Sequence, residues 1–299
     1  MLKTIAIVTL VVNSLAGVEP AWQQGLDYRA AVHAEVSAEL ARAWDAPAMA
    51  GQPYVLMRPA SGAGTLVRLI EAPAGTEVPE PYMTHGWNAL ELLAMDPDAL
   101  EQSLPEAGFR VIGPPADLGT GEGAPRAMQV VGPGKELLYL TRLSPGGGYE
   151  LGVAQSPVDR PFIVVVGGAR IEALRDFYRD ALGLSVGETM HWRITGLARA
   201  HGLGLDTRFP LSLATLPGPF ALELDGYPEG AVQRPRAAGA LPGGLAMVSF
   251  TADSLDAAQV AWRHRPQRVW DYPYDGRRVA AGIGPAGEWI ELIEDRPLP

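Results

Sequence analysis

Few side chains in this sequence can move a proton near neutral pH. Five His and no Cys occur among the 299 residues, which leaves no thiolate nucleophile, no zinc knuckle and no disulfide framework. His33 stands in a strand-like segment of the first half, where a positioned imidazole can act as a general base. His191, beside Trp192, and His201 lie in the second half with Asp206 and Asp225 near them in sequence. They fit substrate contacts, and equally a surface or structural role. The Gly-rich pieces GGGYELG and GPPADLG lack the strand–helix setting of a phosphate loop. Acid–base chemistry on a small molecule is what these residue types offer.

Such groups act only where the backbone holds them. Phe162–Val166 is an apolar, β-branched run that reads as a buried strand. Ile171, Leu174, Phe177, Tyr178, Ala181 and Leu182 then recur at helical spacing, and Gly183 suits the helix C-cap. Strand-like pieces follow near Glu188–Ile194, Pro210–Leu216 and Phe220–Asp225. Earlier in the chain, Leu2–Val12 predicts a strand and Val18–Gly25 a short helix with Pro20 in its first turn. Asp27–Val36 and the hairpin Pro53–Arg58/Thr65–Ile70 complete that unit. Asp96 before Pro97 is an N-cap signal for a helix over Pro97–Ala107, followed by strands at Arg110–Gly113, Ala127–Val131 and Glu136–Thr141. The last unit predicts a strand at Leu245–Thr251, a helix at Leu255–Arg263, and a hairpin of Arg268–Tyr274 with Arg277–Ala281 across Asp275-Gly276.

The chain also repeats itself. Leu40-Ala41-Arg42-Ala43 matches Leu197-Ala198-Arg199-Ala200, and Gly86–Asp96 matches Gly243–Asp253 at the same offset. Gly132-Pro133-Gly134-Lys135-Glu136 corresponds to Gly284-Pro285-Ala286-Gly287-Glu288. Two similar halves, each of two unlike units, follow from these matches. The order strand, helix, three strands, with a helix ending FYRDALGL, resembles the βαβββ module of the vicinal oxygen chelate superfamily (glyoxalase I, extradiol dioxygenases, bleomycin- and fosfomycin-resistance proteins). The resemblance implies an α+β fold: four βαβββ modules forming two tandem glyoxalase-like, cup-shaped mixed-sheet domains. Residues 1–145 would form the first, 146–160 a linker and 161–297 the second, modules one and two closing one cup and three and four the other.

In that superfamily, metal-binding members place His, Gln or Glu on the first strand of a module and Glu on the last. The corresponding last-strand positions here hold Arg68, Tyr139, Glu223 and Glu291, and no His falls on an opening strand. The expectation is therefore no cofactor, with a divalent Fe, Mn or Zn on Glu223 and Glu291 as the alternative. Arg68, Tyr139, His33, Glu223 and Glu291 are the candidate catalytic residues. Arg68 offers a forked guanidinium for a carboxylate or an enolate, or simply pairs with Glu71. Glu223 and Glu291, if they face each other, would form an acid–base couple. Tyr54, Trp87, Asn88, His191 and His201 are candidates for holding the substrate.

A net charge of −10 argues against a nucleic-acid partner. Lys3 with the apolar run Ile5–Val12 imitates a short secretory signal, but the repeat requires a strand there, so the expectation is a cytoplasmic protein with no membrane partner. A small molecule is the expected partner, with a homodimer possible. The function these features favour is a metal-independent lyase or isomerase acting on an aromatic or carbonyl-bearing metabolite. The alternatives are a metal-dependent dioxygenase- or glyoxalase-like enzyme with atypical ligands, and a small-molecule binding or resistance protein without catalysis.

Overall fold

The computed structural model describes residues 2–145 and 150–295. Four units appear in chain order. The first contains β1 (Leu2–Val12), α1 (Leu15–Leu26), β2 (Tyr28–Glu35), α2 (Ala38–Ala43), β3 (Pro53–Pro59) and β4 (Leu66–Glu71). The second contains β5 (Gly86–Ala94), α3 (Pro97–Ser103), β6 (Arg110–Asp117), β7 (Arg126–Val131) and β8 (Leu137–Arg142). The third contains β9 (Val158–Gly168), α4 (Ile171–Asp176), β10 (Ser185–Val186), β11 (Met190–Arg193), α5 (Thr195–Ala200), β12 (Arg208–Thr215) and β13 (Ala221–Gly226). The fourth contains β14 (Gly244–Ala252), β15 (Gln267–Arg268), β16 (Arg278–Ile283) and β17 (Trp289–Glu294).

These strands form two mixed sheets, and their composition corrects the tandem pairing expected from the sequence. One sheet runs β15-β16-β17-β14-β1-β4-β3-β2 and the other β10-β12-β13-β9-β5-β8-β7-β6, with β11 on β12. Module one therefore shares a sheet with module four, and module two with module three. The seams are antiparallel: Val8 faces Val248 across β1–β14, and Leu90 faces Val164 across β5–β9. Residues 146–160 separate the duplicated halves but not the cups, and part of that stretch, 158–160, already belongs to β9. Gly146-Gly147-Gly148 of the expected linker lies outside the described residues.

The physical reason is burial on two faces. All nine residues of β5 and all nine of β14 are buried, as befits strands covered on both sides. Alternate residues such as Val8, Leu10, Leu90, Val164, Val248 and Leu292 enter one large core between the backs of the sheets. Helix α1 lies in that layer and binds module one to module two. Trp22 Nε1 donates to Glu136 Oε1 at 2.8 Å, and a Cβ on Gly25 would lie 2.9 Å from the Phe109 ring. In the other half, Tyr178 OH donates to Glu288 Oε1 at 3.1 Å. Modules of one half thus stack through helices, while each cup closes between halves.

Two local expectations fail. The helix over Leu255–Arg263 is only a 3-10 turn, Leu255–Ala257. The rest runs beside β16, where Trp262 bridges Gly282 and Arg263 N donates to Ala281 O at 2.8 Å; pairing on an open strand edge outweighs weak helical propensity. The hairpin pairs only Gln267–Arg268 with Val279 and Arg278. Its remaining residues loop inward, so that Tyr274 is fully buried in the cup.

Candidate functional site

Strand periodicity of two sets what each cup contains. In the sheet of modules one and four, Ile7 and Val11, Leu66 and Ile70, Met247, Trp289 and Ile293 point into the concave face. Between them on the same face stand four polar residues: Thr9 opposite Arg68, and Ser249 opposite Glu291. Helix α2 ends at Trp44, which covers this floor; its Nε1 donates to Glu291 Oε1 at 2.5 Å. Tyr274 OH lies 3.0 Å from both Glu291 oxygens and accepts from Arg68 Nη2 at 2.7 Å. The rings of Trp44, Tyr54 and Tyr274 surround the Arg68 guanidinium with centroids 5.2–5.5 Å away. Arg68 and Glu291 are both fully buried. A cation and a carboxylate are thus joined through a phenol and sealed by aromatics. Among the described residues, Arg68 Nε and Nη1, Thr9 Oγ1 and Ser249 Oγ find no hydrogen-bond partner.

The other floor is built differently. Glu91 on β5 is in register with Tyr139 on β8, and Glu223 and Asp225 follow each other on one face of β13. Tyr82 OH lies 2.8 Å from Tyr139 OH. Burial drives all three carboxyls upward, and mutual repulsion adds to it for Glu91 and Asp225. Glu91 and Asp225 lie well above the usual carboxylate range, while Glu223, opposed by a hydrogen bond from Asp225, is pushed up to about 7. Glu223 is only half-buried, so solvent reaches it. Burial also raises Tyr139 and Tyr82, keeping both phenols protonated as donors. Asp225 Oδ1 and Tyr227 OH are buried without hydrogen-bond partners among the described residues.

Tyr82 has φ 68°, a left-handed conformation unusual for a bulky side chain. Its carbonyl oxygen lies 3.0 Å from His201 Nε2, and a Cβ on Gly196 would sit 2.6 Å from its hydroxyl. Helix α5 and His201 therefore hold Tyr82 against Tyr139.

The expected site residues scatter accordingly. Arg68, Tyr54 and Glu291 share one cup, Tyr139 and Glu223 the other, so Glu223 and Glu291 do not form a couple. Glu71 leaves Arg68 alone and accepts from Leu15 N at the start of α1. His33 is exposed against Glu19 on the outside of the sheet, and His191 is exposed on β11. Trp87 donates to Trp289 O at 2.7 Å, tying the two sheets together, and Asn88 clamps its own turn through Thr84 O and Gly86 O. His201 positions Tyr82. The residues missed by the sequence reading are Glu91, Trp44, Tyr82 and Tyr274. Glu91 had a signal, an isolated acid inside the apolar run GWNALELLA, and Trp44 occupies the repeat position of His201. Tyr82 and Tyr274 lie in irregular segments with no periodicity to mark them.

No protein-family model and no curated protein sequence matches the chain. Among solved structures, glyoxalase I from Zea mays matches with a TM-score of 0.63 and 12% identity over 98% of this chain and 92% of that one. A candidate dioxygenase from Bacillus subtilis matches at TM-score 0.60 and 12% identity, covering 99% and 86%. The fosfomycin resistance protein FosX from Listeria monocytogenes matches over 49% of this chain at 13% identity, with a TM-score of 0.34. The chain has the α+β glyoxalase-like fold of the vicinal oxygen chelate superfamily.

That likeness overturns the expectation of no cofactor: the superfamily includes metal-dependent members, and missing ligand types do not make a chain metal-free. The residues themselves fit an ion poorly in this conformation. The guanidinium of Arg68 stands on one floor, and among the described residues no group of three or more His, Cys, Asp or Glu is arranged to hold a metal. Among the described residues, no helix is long and apolar enough to cross a membrane.

Proposed function

We propose that the cup of modules two and three is the active site of an isomerase or lyase acting on a small carbonyl-bearing metabolite by proton transfer. The observation that supports this most is Glu223: of the three carboxyls on that floor it alone keeps solvent access, and it titrates at about 7. A general base is most effective when its pKa lies near the working pH.

In this reading, Glu223 takes a proton from the carbon next to the substrate carbonyl. The electron pair moves onto the carbonyl oxygen, and Tyr139, backed by Tyr82 at 2.8 Å, donates a hydrogen bond to the resulting enolate. Asp225 and Glu91 stay neutral, so the floor carries no charge that opposes the enolate. With an α-hydroxy carbonyl substrate the intermediate is an enediolate. The proton returns to the former carbonyl carbon, the α-hydroxyl gives its proton to the first oxygen and becomes the new carbonyl, and an isomer results. With a β-leaving group the enolate electron pair instead expels that group as an anion, which gives a lyase.

Solvent-deuterium exchange tests this without foreknowledge of the product. A panel of small α-hydroxy carbonyl compounds and aryl ketones is incubated with the protein in D₂O and followed by proton NMR. At least one member should exchange its α-proton, and Glu223→Gln should slow that exchange about 10²-fold or more. Exchange that is absent throughout the panel, or unchanged in Glu223→Gln, rules the proposal out.

A further inference from the structure

We propose that the mouth of the other cup, that of modules one and four, is a binding site for a small organic carboxylate with an apolar body. A cavity of about 400 Å³ opens there, lined by Ile7, Leu66, Ile293 and Phe220 together with Arg160 and Arg277. Ile7, Leu66 and Ile293 each lie two residues along their strands from Thr9, Arg68 and Glu291. The cavity therefore sits one side-chain layer, about 7 Å, from the sealed floor.

Among the described residues, no carboxylate lies in ion-pair contact with either arginine. Arg160 donates from Nη1 to Pro161 O at 3.2 Å and Pro219 O at 3.1 Å, and from Nη2 to Leu151 O at 2.7 Å, with the Phe220 ring 4.7 Å from its guanidinium. Arg277 donates to Tyr274 O at 2.8 Å and to Pro273 O. All these acceptors are neutral carbonyls. Asp159, beside Arg160, is engaged elsewhere: Ser61 Oγ, Gln155 N and Arg160 N donate to it at 2.6–2.7 Å. Tyr272, also at the cavity, accepts from Arg58 Nη2 at 2.8 Å, which brings a third cation behind it. In a chain of net charge −10 this is a local reversal of sign. A positive rim over apolar walls attracts an anion and strengthens the attraction by excluding water.

A carboxylate suits the guanidinium fork, and the aliphatic and phenyl walls suit a hydrocarbon body. Ile7, Leu66, Ile293 and Arg277 belong to the cup opposite Glu223, while Arg160 and Phe220 reach the cavity from module three, and the site does not rest on the proton-transfer reading.

Benzoate and its uncharged analogue benzamide are the probes, titrated into the full chain at low salt by calorimetry. Benzoate should bind, benzamide should bind at least tenfold more weakly, and salt should weaken benzoate alone. Arg277→Gln should weaken benzoate about tenfold, Arg277→Lys should restore part of the loss, and Glu223→Gln should leave benzoate binding unchanged. Because Arg277 also braces its own loop, the comparison of the two probes on the unaltered protein stands as an independent test. Benzoate that fails to bind at about 10 mM, that binds no better than benzamide, or that binds Arg277→Gln undiminished overturns the proposal.

Discussion

At the scale of single residues, the two Glu side chains on equivalent last strands have opposite circumstances. Glu291 is held by the Trp44 indole N–H and by Tyr274 in a sealed space, whereas Glu223 shares an open floor with two neutral carboxyls. Replacing Arg68 removes the cation that balances Glu291 and leaves a buried charge unpaired. Arg68→Met should therefore cost on the order of 3 kcal/mol of stability. The double variant Arg68→Met/Glu291→Gln should regain most of it, as read from denaturant midpoints. In the other cup, Gly196→Ala should push the Tyr82 ring, whose hydroxyl a Cβ would approach to 2.6 Å. It should lower turnover while changing stability little; an unchanged rate would detach Tyr82 from the site. The residue types at the last-strand positions were legible in the sequence, because the repeat supplies their alignment. Which of them share a cup was not, because the partner strand is chosen by packing between halves.

At the scale of elements, the helix-to-turn anchors make a pH-dependent contribution. Burial raises Glu136 and Glu288 from 4.5 to about 7, despite the hydrogen bonds they accept from Trp22 and Tyr178. A carboxyl with a raised folded-state pKa binds its proton more tightly when folded. Its stabilisation is therefore complete below about 4.5 and disappears as pH rises through about 7. Each fully buried group should lose on the order of 3 kcal/mol across that window. Glu288→Gln should be close to neutral near pH 4 and raise the melting temperature near pH 8; an equal effect at both would refute the account. Helix α1 offers a packing test as well. Gly25→Ala should cost about 1–3 kcal/mol, since its Cβ would meet Phe109, Ala107 and Leu104 within 3.0 Å. Apolar periodicity marked most strands and α1, the latter three residues short at its start. It failed for Leu255–Arg263, where Val260 packs against Gly282 and the chain pairs with β16 instead of coiling.

At the scale of the whole molecule, the duplicated halves are interlocked. Each sheet takes one module from either half, so the halves cannot separate without opening both seams. Residues 1–149 and 150–299 expressed together as separate chains should co-purify in equal amounts; independent folding of either half would contradict the exchanged pairing. The duplication itself was visible in short matched segments, but nothing in the sequence ranks one antiparallel seam over another when all four opening strands are apolar.

Carbon-13 NMR of the Glu side-chain carboxyls across pH tests the central claim most directly. Glu136, Glu288 and Glu223 should each give a resonance with a midpoint of about 7, and the one that vanishes in Glu223→Gln should be among them. A Glu223 resonance that titrates near 4.5, as an ordinary carboxylate does, would contradict the account.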